Sequence, residues 1–232
     1  GDSQLQLKEN IFEATELIAI IVRGSAAANI EDNTIVGNGA TLDTAEEAAD
    51  AARFGGNAAI TLNGNRFLKN PRFALALHGD VAVTSLDNYF EGNGGISVVT
   101  HEYFSAMSLA ERSSVNSTGD VFFMNPAGAI DLADDAHLEM TNTQARENGS
   151  YATMYMGART SAVMTDANFT DNEGSILVTD AASLTVVGGT FLTATAAAIY
   201  VDGSGNLELN GATLTGNEGA AIGLGEDATG TI

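Results

Sequence analysis

The chain has no cysteine, no tryptophan and only two prolines in 232 residues. Without cysteine, a disulfide framework and thiolate metal sites are excluded, and the redox compartment stays open. Basic residues are also scarce, nine against 30 acids, for a formal net charge of -21. That balance opposes nucleic acid, which needs a basic footprint, and opposes anionic membrane surfaces for the same Coulombic reason. Long hydrophobic runs are missing too. The longest strongly apolar stretch, Leu17 to Val22, falls far short of the ~18 residues of a membrane span and suits a buried strand. The chain is rich instead in glycine, with 26 residues, which suits tight turns.

What organises the chain is a step of about 23 residues. Four tetrads carry it: Phe67-Leu-Lys-Asn70, Phe90-Glu-Gly-Asn93, Phe122-Phe-Met-Asn125 and Phe169-Thr-Asp-Asn172. Weaker copies are Phe12…Thr15, Ile35…Asn38, Ala145…Asn148, Leu192…Thr195 and Leu214…Asn217. Their last positions advance by 23, 32, 23, 32, 23, 24, 23 and 22 residues, which predicts nine coils of one solenoid.

Each tetrad precedes a short β-prone run in which Ile130/Leu132, Ile176/Val178 and Ile199/Val201 alternate with a period of two. A second apolar pair follows, as in Val81/Val83, Leu138/Met140, Leu184/Val186 and Leu207/Leu209. The Phe supplies a third inward position. Three short strands per coil make an all-β parallel β-helix. Nine coils at ~4.8 Å give a rod roughly 40 Å long. The closing Asn residues should hydrogen-bond from coil to coil as a ladder, with Thr15 and Thr195 continuing it in part. They also suit left-handed turns. Phe67, Phe90, Phe122 and Phe169 should stack beside them.

Two steps of 32 residues imply insertions, placed near 43–56 and 101–116. The first reads as a helix, with a Thr44-Ala-Glu-Glu47 capping box, Ala48 to Phe54 as body and Gly55-Gly56 as stop. In the second, Phe104, Met107 and Glu111 allow a helical turn. One domain, 1–232, is expected. Because the repeat starts almost at residue 5 and stops at Gly230-Thr-Ile232, we expect a piece of a longer chain or end-on packing against a partner.

The Phe-x-x-Asn tetrads, with degenerate companions Gly94-Gly-Ile-Ser97, Ala127-Gly-Ala-Ile130 and Glu173-Gly-Ser-Ile176, resemble the polymorphic outer-membrane proteins of chlamydiae and related repeat proteins. The likeness is one of repeats, along essentially the whole chain. It implies a right-handed parallel β-helix, the passenger of an autotransporter adhesin displayed on a cell surface.

Chemical motifs are few. Gly-x-Ser-x-Gly does not occur, no Gly-x-Gly carries the third glycine of a dinucleotide loop, and His101-Glu102-Tyr-Phe-Ser105 lacks the second histidine of a zinc-protease helix. One constellation stands out. His78 and His101 each lie eight residues after a tetrad Asn, so they should stack on adjacent coils, with Arg23 and Glu46 at the same offset. Arg53, Arg66, Lys69 and Arg72 place four of the nine bases nearby. Such an island could hold an anionic sugar; a lyase would use Arg or Lys as base, and His78, His101, Arg72 and Lys69 are the catalytic candidates. Arg23, Arg53 and Arg66 are binding candidates, as are Tyr155 and Tyr200, which with Leu177 face outward on successive coils where sugar rings stack on aromatics. No cofactor is required. Calcium is the one metal with candidate oxygens, at Asp134, Asp135, Asp166 and Asp171, none at EF-hand spacing. Of three sequons, only Asn116 suits glycosylation, since Asn148 belongs to the ladder.

The leading expectation is a non-catalytic extracellular or cell-surface β-helix, serving as adhesin or structural spacer and meeting a surface protein or glycan. The alternative is a carbohydrate-active β-helix, a lyase, hydrolase, epimerase or sugar-binding module, acting on acidic glycans.

Overall fold

A computed structural model describes residues 3–39, 49–96, 101–149, 151–225 and 227–232. Among the described residues there are 30 strands and no helix. Three parallel sheets run the length of the rod, one of ten strands and two of nine. Each coil contributes one strand to each sheet. Ile20–Val22, Ala27–Glu31 and Thr34–Val36 form one coil, and the next repeats it as Ala52–Gly56, Ala59–Asn63 and Arg66–Leu68. We call these the third sheet, the ten-stranded sheet and the phenylalanine sheet.

Side-chain alternation sends one residue class inward on all three sheets. Ile30, Leu62, Phe54, Leu77, Leu109, Leu132, Met156 and Val178 are all fully buried. In the phenylalanine sheet, Phe67 and Phe122 each stack on Phe90 with ring centres 4.8 Å apart and planes within 6° of parallel. Ala145 interrupts the column, which resumes with Phe169 on Phe191 at 5.5 Å. That last pair corrects the eighth repeat: Phe191 and Ala194, rather than Leu192 and Thr195, align with Phe169 and Asn172. Asn217 accordingly accepts from the Ala194 amide at 2.9 Å.

The expected ladder runs from Thr15 through Asn38, Asn70, Asn93, Asn125 and Asn148 to Asn172. Each Asn Nδ2 from Asn70 to Asn148 donates to the Oδ1 one coil on at 2.7 to 3.3 Å. The same Oδ1 also accepts a backbone amide, as Asn93 does from Asn70 at 3.1 Å. The sequence pattern did not reveal a second ladder. Asn10, Asn33, Asn65 and Asn88 are joined in the same way and end on Asp120. The inward positions feeding it are Ser85 and Ser117, polar residues that a search for apolar pairs passes over; Val83 with Ser85, rather than Val81 with Val83, is the pair in register.

Each corner has a left-handed residue at a constant place. Before the first ladder, φ is positive at Lys69, Gly92, Met124, Glu147 and Asp171; before the second, at Asp32, Gly64, Asp87, Gly119, Asn142 and Asp166. The turn-forming residue therefore precedes the ladder Asn instead of being it. At the third corner, Gly24, Gly56, Gly79, Glu111, Asp134, Ala158, Asp180 and Gly203 form the column. A Cβ on Gly79 would lie 2.7 Å from the Gly56 carbonyl oxygen, so close stacking as well as φ requires glycine there.

Both long steps hold their extra residues in one place. Asn38 to Ala52 and Asn93 to Met107 span 14 positions each, against five from Asn70 to Leu75, with which Ala52 and Met107 are in register. The predicted helix over Ala48–Phe54 is overturned, because Ala52 and Phe54 fill inward strand positions and Gly55-Gly56 continue the strand. The capping box and Glu46 lie outside the described residues. The second helical turn is overturned as well: Gly95–Ile96 pairs antiparallel with Tyr103–Phe104, and Met107–Leu109 rejoins the third sheet. Asn116 lies in the coil strand Ser114–Thr118, not in the insertion.

Candidate functional site

The outward row of the third sheet reads Ile21, Arg53, Ala76, Ser108, Asp131, Tyr155, Leu177, Tyr200 and Gly223, one residue per coil. An outward row should be wet throughout. Ile21 and Tyr200 are exposed, but Ala76 is only 1% accessible and Ser108 8%. The middle of the row is closed at the level where both insertions leave the coil.

An ion-pair clamp lies at this level. Asp50, whose side chain is 2% exposed, accepts from Arg53 Nε and Nη2 at 2.8 and 2.5 Å, and Arg72 Nε lies 3.5 Å from its other oxygen. The Arg72 guanidinium sits 4.6 Å from the centre of the Phe104 ring and 5.6 Å from that of Phe73, and the two rings meet edge to face. Arg53 and Arg72 thus hold the first insertion's return, Asp50, to the second insertion's hairpin.

Just past the hairpin, Tyr103, Tyr151 and Tyr155 fan around Asp131. Ring centres are 5.3 Å apart from Tyr103 to Tyr151 and 6.5 Å from Tyr151 to Tyr155, with interplanar angles of 30° and 40°. With Ser105, Ala127 and Ala152 they line a cleft of about 290 Å³. The Tyr155 hydroxyl accepts from Thr179 Oγ1 at 3.3 Å, which orients that ring. Asp131 is half-buried, and burial pushes its carboxyl up to about 6. Nothing else shifts it: no hydrogen bond or ion pair joins this carboxyl to another described residue. A rigid strand therefore presents an acid without a partner among aromatic faces, able to accept a proton near neutrality or to meet a cation.

The remaining candidates are dispersed. Arg23 and His78 do come together, because Gly55 between them has no side chain; they share a groove of about 410 Å³ with Arg53, Phe54, Gly56, Gly79 and Glu111. His101 does not join them. The position below His78 belongs to Ala110, since Leu109 is in register with Leu77, and His101 sits in the hairpin with φ of 57°. Arg66 and Lys69 lie on the phenylalanine sheet and its corner, where Arg66 covers the Tyr89 ring at 5.8 Å. The expected basic island is thus split across two sheets, and part of it is spent on Asp50.

The calcium candidates occupy corners. Asp134 accepts the Glu111 amide at 3.0 Å, Asp135 is held by Arg159 through two hydrogen bonds of 2.7 and 2.8 Å, and Asp171 accepts from Thr193 Oγ1 at 2.5 Å. Asp166 is in a left-handed turn at a different corner from Asp171. Among the described residues, no group of three or more His, Asp or Glu side chains could hold a metal ion. No helix of the described residues is long and apolar enough to cross a membrane.

Sequence reasoning placed Tyr155 and Tyr200 in the outward row but missed Asp131, which alternates with inward Ile130 and Leu132 and is one coil before Tyr155. Tyr103 and Tyr151 could not be found that way, because both lie where the path of the chain leaves the repeat.

Comparison with known proteins gives a family and little else. A sequence model described as the right-handed beta helix region matches residues 103–232. No curated protein matches. Among solved structures, HetL, a pentapeptide repeat protein involved in heterocyst differentiation regulation from the cyanobacterium Nostoc, is similar at 10% identity. That alignment covers 96% of this chain and 87% of HetL with a TM-score of 0.28.

Proposed function

Since the chain belongs to the right-handed β-helix family, we propose that it works as an extracellular or cell-surface rod, adhesive or spacing, that meets a glycan at its tyrosine cleft. The observation that carries this reading is the fan of Tyr103, Tyr151 and Tyr155 around an acid that has no hydrogen-bond or ion-pair partner among the described residues. Aromatic faces on a rigid sheet bury sugar C–H surfaces at little entropic cost, and exposed aromatic patches mark interaction sites. The ladders support the scaffold half of the proposal. Each ties a coil to the next through buried amides, and the first of them lies at the corner where the phenylalanine sheet turns into the sheet that bears the cleft, which holds that sheet stiff along one edge.

The test is a glycan-array screen of the purified chain, with calcium and with chelator, against a Tyr151→Ala/Tyr155→Ala variant. Saturable binding lost in the variant supports the proposal. Binding that survives the double variant places recognition elsewhere, and no binding in either condition sinks the glycan reading.

A second reading rests on the groove that joins Arg23 and His78. A carbohydrate-active enzyme for acidic glycans would hold a uronate there, with the carboxylate on Arg23. It predicts product release from a uronate polymer that disappears with Arg23→Ala.

A further inference from the structure

The cleft has a chemical polarity that narrows its ligand, provided that the recognition proposed above is made there. Three tyrosine rings line it, and the one charged group among its described lining residues is Asp131. Ring faces carry the negative end of the aromatic quadrupole and attract cations, as does a carboxylate. No base is among the cleft's described lining residues, and Arg53 and Arg72, at the insertion level, are engaged with Asp50 and the Phe73–Phe104 pair. The whole chain is strongly acidic. Every electrostatic element of the cleft therefore repels an acid sugar and attracts an ammonium.

The shape points away from a compact alkylammonium. A box for such a group closes on it from three sides with rings set steeply to one another, whereas these rings follow one another at 30° and 40°. The outward row then continues from Tyr155 through Leu177 to Tyr200, one step of ~4.8 Å per coil, forming a track that a polymer can follow. We propose that the cleft recognises a 2-amino-2-deoxy sugar with a free amine, within an oligosaccharide, with its ammonium against Asp131 and its ring on the tyrosine faces.

The cleft holds three of the chain's five tyrosines, and there is no tryptophan, so tyrosine emission reports on it directly. Glucosamine hexamer, its fully N-acetylated form, glucose hexamer and a lysine-rich peptide would each be titrated into the whole chain at about pH 6.5, where Asp131 is largely ionised. Emission and calorimetry would be read together. The expected result is saturable binding of the glucosamine hexamer, weakened about tenfold or more by Asp131→Asn, as loss of a charged hydrogen bond requires, with the acetylated and glucose forms weakened alike. Equal binding of the acetylated hexamer overturns the cationic inference and leaves glycan recognition standing. Equal binding of the lysine peptide overturns the sugar assignment. Silence toward all four probes, from a chain whose melting is normal, overturns the inference; the array screen then decides separately whether glycan recognition fails too.

Discussion

Asn88 donates its Nδ2–H to the Asp120 carboxylate 32 residues on, at 3.2 Å, so a ladder of amides ends on an acid. Asp120 is fully buried, and burial holds its carboxyl above the ordinary range, although Ser117 and Asn88 donate to it. An amide would be free of that desolvation cost, and in the preceding rungs the Asn Nδ2 also donates to a backbone carbonyl, as Asn65 does to Ile30 at 2.7 Å. Asp120→Asn should therefore stabilise the chain at pH 7 by about 1 kcal/mol. Urea unfolding checks this, and a loss of stability would show that the Ser117 hydrogen bond outweighs desolvation.

Asn93→Ala should cost about 3 kcal/mol. Its Oδ1 accepts from both the amide and the side chain of Asn70, and its Nδ2 donates to Phe67 at 2.8 Å, so buried partners are orphaned in a site water cannot reach. Asn217→Ala, in the part-buried last rung, should cost about a third of that. Equal losses measured by chemical unfolding would mean that the ladder does not gain from burial.

Gly79→Ala and Gly211→Ala separate strain from stacking. Both glycines have positive φ, 93° and 70°, and an alanine pays about 1 kcal/mol for that alone. Around Gly211 a Cβ meets nothing within 4 Å, whereas at Gly79 it meets the Gly56 backbone. Gly79→Ala should thus lose about 3 kcal/mol or more by forcing two coils apart. Thermal melts of the pair would decide; similar shifts would leave backbone strain as the whole effect.

Asp131 makes stability depend on pH. Its native carboxyl sits at about 6 against an ordinary 3.8, so the folded chain holds this proton more tightly than the unfolded chain. Folding therefore keeps its full share of stability from Asp131 below the unfolded value, loses it as pH rises from about 4 to about 6, and is flat beyond. With the group half-buried, the loss is about 1 kcal/mol. Asp131→Asn should melt with the parent near pH 4 and above it at pH 7. Parallel melting curves across that range would exclude the burial.

Much of this was legible in the residues because a solenoid writes its geometry into spacing. A parallel coil restores each side chain to the same column after one turn, so the Phe67–Phe90–Phe122 stack and the Asn70–Asn93–Asn125 ladder follow from counting. Counting failed where the eighth tetrad lost its Asn and Leu192 looked like the anchor beside Phe191. It failed again at Ala48–Phe54, where alanine-rich composition suggested a helix. Propensity there is worth tenths of a kcal/mol per residue, and burying Ala52 and Phe54 between strands outweighs it. It missed the second ladder, whose last rung is Asp rather than Asn and whose neighbours Ser85 and Ser117 read as surface.

The sequence by itself determined the coil, its three sheets, its stacked core and the outward row that holds Tyr155 and Tyr200, because all of these repeat. The cleft was decided only in the tertiary structure. Asp131 becomes an acid among aromatic rings solely because the hairpin bearing Tyr103 and the loop bearing Tyr151 fold over the third sheet. Where a segment leaves the period, its path is set by contacts such as Asp50 with Arg53 and Arg72, and no spacing in the chain encodes them.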